Sequence, residues 1–145
     1  MNSDNKKVTA ELILEAIGRP GEYLTETLNK IIEEIKKEPG VKVTNFKINE
    51  PILLKDQKDF YTNFAEVEVE ADELLRIAIL MFKYMPAHIE IISPQNVNLK
   101  NSDCDDLFNE IARRLHSYEE ITRIVQTEKA ILEKKVNALL EKDKK

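Results

Sequence analysis

The chain has 145 residues, 42% hydrophobic and 34% charged, with 22 Lys+Arg against 27 Asp+Glu and a formal net charge of -5. This length carries one domain with a core large enough to fold without covalent staples, and the acidic balance argues against non-specific nucleic-acid binding as the main activity. A lone cysteine, Cys104, excludes an intramolecular disulfide, and the longest apolar run, Ile77 to Phe82, is too short for a signal-peptide core or a membrane span, so the expected setting is the cytoplasm.

Val8 to Ile17 alternates, with Val8, Ala10, Leu12, Leu14 and Ala16 on one face and Thr9, Glu11 and Glu15 on the other, the pattern of a half-buried strand. Gly18-Arg19-Pro20-Gly21 breaks it. Leu24, Leu28, Ile31 and Ile35 then form one helical stripe that Pro39-Gly40 stops. Val41 to Ile48 reads as a second strand whose facing switches between Val43 and Phe46, which predicts a bulge near Thr44-Asn45. Glu50 to Asp59 reads as a connection.

Phe60 to Glu70 is the clearest strand. Ala65, Val67, Val69 and Ala71 face inward and Glu66, Glu68 and Glu70 face water. Asp72 is expected to cap a helix carrying Leu74, Leu75, Ala78, Ile79 and Phe82, which Met85-Pro86 ends. Ile89 to Ile92 is a short strand. Ser102 is expected to cap a final helix that runs from residue 101 to the end without Pro or Gly. The order β-α-β-β-α-β followed by a helix predicts a ferredoxin-like two-layer α+β sandwich over residues 1–100 and a C-terminal helical element over 101–145. Leu12, Leu14, Leu28, Ile31, Val67, Val69, Leu75, Ile79 and Ile91 are its expected core. Ile13, Ile17 and Phe64 are expected on the open sheet face. Ser117-Tyr118-Glu119-Glu120 has the form of a capping box, so a helical hairpin broken near Ser117 is an alternative to one continuous helix.

The stretch GRPGEYLTETLNKIIEEIKKEPGVKV, followed by FAEVEVE, MPAHIEIISPQNV and NSDCDDLFNEIARRL, resembles in layout small archaeal proteins of unknown function with this ferredoxin-like order. The resemblance implies no activity.

Titratable chemistry is sparse. His88 and His116 are the only histidines and are not spaced as metal ligands, and one cysteine cannot complete a zinc site. Gly18-Arg19-Pro20-Gly21 lies between a strand and a helix, where phosphate loops occur, but it lacks their glycine patterns and reads as a turn. No catalytic residue, cofactor or metal is expected. The informative feature is the apolar series of the last helix, in which Tyr118, Ile121, Val125, Leu132, Val136 and Leu139 are the expected interaction residues. Glu128 and Lys135 interrupt this seam, which weakens a simple zipper but is tolerable if the helix packs partly on its own domain or if the charges pair across an antiparallel partner.

The expectation is a non-enzymatic assembly or adaptor protein that forms a homodimer through this helix. Two alternatives stand beside it. One is a small-molecule-binding regulatory module. The other is a ribosome- or RNA-associated factor. From Arg123 onward there are seven positive and four negative residues, a local net of +3, and Arg113, Arg114, Arg123, Lys129, Lys134 and Lys135 are the candidate RNA contacts.

Overall fold

A computed structural model describes residues 6–55 and 58–144. Its elements are β1 (Val8–Gly18), α1 (Gly21–Lys36), β2 (Val41–Ile48), β3 (Ile52–Leu53), β4 (Tyr61–Ala71), α2 (Leu74–Tyr84), β5 (His88–Ser93) and α3 (Asn101–Asp143). The sheet runs β2-β4-β1-β5 with every pairing antiparallel, and short β3 adds to the end of β4. With α1 and α2 between strands, this is an α+β fold of ferredoxin-like layout followed by a long helix. The chain divides into two compact units, Met1–Leu107 and Phe108–Lys145.

Alternation in the two central strands generates the core of the first unit. β1 and β4 pair along their whole length, from Val8 opposite Ala71 to Gly18 opposite Tyr61. This register brings Val8, Ala10, Leu12 and Leu14 beside Ala71, Val69, Val67 and Ala65, all buried. A one-residue slip would turn this apolar set out to water, so burial fixes the register. Leu24, Leu28, Ile32 and Ile35 of α1 are buried, and Leu28, Ile32 and Ile35 join that cluster. The expected bulge in β2 is present as a register shift between Val43 and Asn45.

Several expectations need correction. Ile31 is half-buried while Ile32 is buried, because the α1 stripe runs from Leu28 to Ile32. In α2 the buried residues are Ile77, Ala78 and Leu80, whereas Leu75 and Ile79 are only half-buried. That helix, LLRIAILMFKY, is apolar on almost every side, so periodicity could not fix its rotation. A polar contact at its end bears on the rotation instead. Glu38, just past α1, accepts hydrogen bonds from Lys83 Nζ at 2.9 Å and Tyr84 Oη at 2.5 Å. Ile91 is 38% exposed because β5 is an edge strand.

Asp72 does not cap α2, whose N-cap is Glu73 without a side-chain bond. Asp72 instead donates its backbone N–H to Gly40 O at 2.9 Å. Gly40 has φ +70, and a Cβ there would lie 2.9 Å from Arg76 Nε, so glycine is needed for both conformation and space. The connection after β2 holds β3, formed by Ile52 and Leu53 opposite Thr62 and Tyr61; two residues carry too little periodicity to be read as a strand.

Candidate functional site

The long helix is built locally. Its first turn is closed by Asp103, whose carboxylate accepts the Lys100 N–H at 3.3 Å, while Cys104 N–H reaches Lys100 O at 3.0 Å. Asn101 is already helical, so Ser102 lies inside the first turn and is not the cap. The helix continues unbroken through Ser117, and the helical hairpin does not form. Without Gly or Pro, nothing offsets the loss of helical hydrogen bonds that a break would cost.

None of the described residues of α3 is buried. The six expected interaction residues, Tyr118, Ile121, Val125, Leu132, Val136 and Leu139, are 40–63% exposed. Ile124, Ile131 and Leu140 are exposed with them, outside the six expected residues. The available signal was the seven-residue step from Ile124 to Ile131, which runs beside the main stripe. A shallow groove on the helix surface is lined by Val125, Glu128, Lys129, Leu132, Glu133 and Val136 along with Asn137. Val125, Glu128, Lys129 and Leu132 stand at i, i+3, i+4 and i+7, the four corners of a hole that receives a side chain from a facing helix.

The candidate RNA-contact residues are largely engaged along their own helix. Glu110 accepts from Arg113 at 2.6 Å and Arg114 at 2.9 Å, and these two guanidiniums hold its carboxyl below the usual carboxylate range. Arg123 meets Glu119 at 3.4 Å and Lys129 meets Glu133 at 4.0 Å. Such pairs support an exposed helix and reduce its local positive potential. Lys134 and Lys135 lie exposed further along, and Lys145, counted in the basic tail, lies outside the described residues.

On the first unit, the sheet face that carries the glutamates is mixed in charge, with Lys42 opposite Glu70 and Lys47 opposite Glu66 along β2 and a glutamate cluster around Glu11. Glu11 stands opposite both Glu68 and Glu90, and Glu66 lies beside Ile13. Sequence alternation showed Glu66, Glu68 and Glu70 as a row, but Glu11 and Glu90 join them only through long-range register. Glu68 is bonded to Thr44 Oγ1 at 2.8 Å and Glu70 meets Lys7 at 3.4 Å. Ile13 and Phe64 are half-buried and Ile17 is exposed on this face.

A cavity of about 380 Å³ lies among the start of β1, the start of α2 and residues 94–107. Val8, Leu74, Leu75 and Val97 line it, with Lys7 and Lys100 among its charged groups. Its place is remote in sequence from the Gly18–Gly21 turn. That turn is packed instead: Arg19 stacks over Phe60 at 5.6 Å, and a Cβ at Gly21 would meet Pro51 at 3.2 Å. His88 is exposed on β5 and His116 is exposed on α3. Cys104 is a half-buried free thiol. Among the described residues no group of three or more His, Cys, Asp or Glu gathers to hold a metal ion, and no helix is long and apolar enough to cross a membrane.

Sheet order and the terminal helix together define a ferredoxin-like α+β protein with an exposed, apolar-striped helical segment. The chain belongs to the MJ0538 family, whose model matches residues 9–141 and so covers both the sheet and nearly all of α3. No curated protein and no solved structure matches it.

Proposed function

We propose that this chain is a non-enzymatic assembly or adaptor protein that self-associates through α3. One observation carries the reading: Tyr118, Ile121, Val125, Leu132, Val136 and Leu139 lie along one face of a helix and are all exposed. Exposed apolar residues recurring along one helix face mark an interaction site, and a two-fold dimer is the commonest closed assembly of like chains. Size-exclusion chromatography with light scattering should give a dimer for the full chain and a folded monomer after truncation at Ser117. A truncated protein that stays dimeric would move the interface to the sandwich and remove the basis for the reading.

The cavity near the start of β1 supports a second reading, a regulatory module that binds a small molecule. Its volume lies in the range of ligand pockets, and it combines apolar side chains with both lysine ammonium groups and the carboxylates of Glu73, Asp103 and Asp106. A thermal-shift screen against amino acids and nucleotides tests this, since a ligand of the folded state raises the melting temperature.

A further inference from the structure

We infer that two copies of α3 pair antiparallel, about a two-fold axis at Ala130. The inference rests on the reading that α3 is the self-association element, and it specifies the orientation of that contact.

Charged residues interrupt the apolar seam of α3. Tyr118, Ile121, Val125, Leu132 and Leu139 follow alternating steps of three, four and seven, and Glu128, Lys135 and Lys142 fill the remaining seam positions. All of these are exposed. In a parallel, in-register pair each seam residue faces its own copy. Glu128 would meet Glu128, Lys135 would meet Lys135 and Lys142 would meet Lys142. Each such layer places like charges together as water is excluded, which is costly.

Reversing one helix about Ala130 removes every one of these clashes. Ile121 then faces Leu139 of the second copy. Val125 faces Lys135, whose methylene stem can cover it while the ammonium reaches water. Glu128 faces Leu132, with Lys135 of the second copy one step further along the seam. Tyr118 faces Lys142, a pairing that suits an ammonium over an aromatic ring. Glu128 and Lys135, two of the three charges that spoil a parallel seam, thus become neighbours of opposite sign.

The flanks agree. On one side of the seam stand Ile124, Ile131 and Ala138, and on the other Thr122, Lys129, Val136 and Asp143. Antiparallel helices bring like flanks together, so Ile131 meets Ile131 near the axis and Ile124 meets Ala138, while on the other flank Thr122 meets Val136 and Lys129 meets Lys129, a like-charge contact at the solvent-exposed rim. The exposed Ile124 and Ile131 are thereby covered in one apolar edge. A parallel pair would instead set Ile124 against Lys129, though it would also set Ile131 against Val136. The groove cornered by Val125, Glu128, Lys129 and Leu132 lies beside the proposed axis and is open to receive Leu132 of the second copy.

Disulfide trapping in the full-length chain tests the orientation. In a Cys104→Ser background that retains the dimer, differently tagged Ile121→Cys and Leu139→Cys chains are mixed, exchanged and oxidised. The expected product is the mixed Ile121→Cys/Leu139→Cys disulfide, with Ile131→Cys chains linking to themselves in a separate reaction. Self-linked Ile121→Cys and self-linked Leu139→Cys dimers would show a parallel pair and overturn the orientation, leaving the self-association reading intact. A dimer that traps none of these products would overturn the pairing about Ala130, with truncation at Ser117 deciding separately whether α3 carries the interface, and a monomeric full chain would overturn the orientation and the broader reading together. Charge reversal gives an independent measure. Glu128→Lys and Lys135→Glu should each weaken the dimer about tenfold, and the double variant should recover most of that loss. Equal and additive losses would overturn the antiparallel register.

Discussion

The two units handle apolar residues in opposite ways. In Met1–Leu107, Leu12, Leu14, Val67 and Val69 alternate with polar residues and are fully or almost fully buried. In Phe108–Lys145, Ile121, Val125, Leu132 and Leu139 recur just as regularly and remain at least half exposed. Periodicity therefore reports which face of an element is apolar, but not whether this chain itself covers that face. The sandwich closes its own core because β1 and β4 lie side by side and α1 covers them. A single helix has no second layer to offer itself, and burying its stripe requires another surface.

The largest effect should come from breaking the first side of that comparison. Leu14 is 2% exposed and opposes Ala65 in the centre of the sheet. Leu14→Asp would bury a charge without a partner, at a cost of about 4 kcal/mol or more. Chemical denaturation should show a chain that is unfolded or close to it. Wild-type stability in this variant would mean that β1 faces the other way.

The same chemical change on α3 should act differently. Leu132→Asp alters a residue that is 59% exposed, so the unfolding midpoint of the sandwich should stay within experimental scatter. If α3 self-associates as proposed, the dimer dissociation constant should instead rise about 30-fold or more, the size expected for a central interface anchor. Analytical ultracentrifugation separates the two effects. If Leu132→Asp destabilised the sandwich as Leu14→Asp does, the contrast between the units would be lost.

Much of the fold was legible because its strongest signals are local. The alternation of β1 and β4, the stop at Pro39-Gly40 and the facing switch in β2 each depend on residues within one segment. What sequence alone missed depends on contacts between segments. The rotation of α2 involves Lys83 and Tyr84 meeting Glu38, 45 and 46 residues away, which no local period reveals. Exposure of Ile91 follows from β5 lying at the sheet edge, and the acidic cluster of Glu11, Glu68 and Glu90 follows from pairing register. The stripe on α3 was readable because a helix places its residues by spacing alone. Ile124 and Ile131 escaped notice because they flank the seam and do not lie on it.

A polar contact offers a smaller and more selective test of the first unit. Tyr84 donates to Glu38 at 2.5 Å, and burial first, then this bond, pushes its phenol well above the ordinary 10.0. A raised folded-state value means that the contribution to stability is complete below pH 10.0 and is lost as pH rises beyond it. Tyr84→Phe should cost about 1–2 kcal/mol at neutral pH and remove that alkaline decline. Thermal unfolding of both proteins between neutral and strongly alkaline pH checks the two statements together. An unchanged alkaline slope in Tyr84→Phe would locate the titrating group elsewhere.

The smallest expected effect belongs to the corresponding carboxylate of the second unit. Glu110 is also held by two donors, but Arg113 and Arg114 are neighbours on its own helix and Arg113 is largely exposed. Hydrogen bonds from Arg113 and then Arg114 lower its carboxyl below the ordinary 4.5. The sign is opposite to that of Tyr84: the contribution is present above pH 4.5 and is lost as pH falls through the lower folded-state value. Solvent and salt screen this pair, whereas the contact at Glu38 is partly shielded from water. Glu110→Gln should therefore trim helicity slightly at neutral pH and low salt, with the difference vanishing in strong salt or acid. Circular dichroism at two ionic strengths reads this directly. A salt-independent loss would show that Glu110 is shielded like Glu38, and that the second unit is less exposed than its side chains indicate.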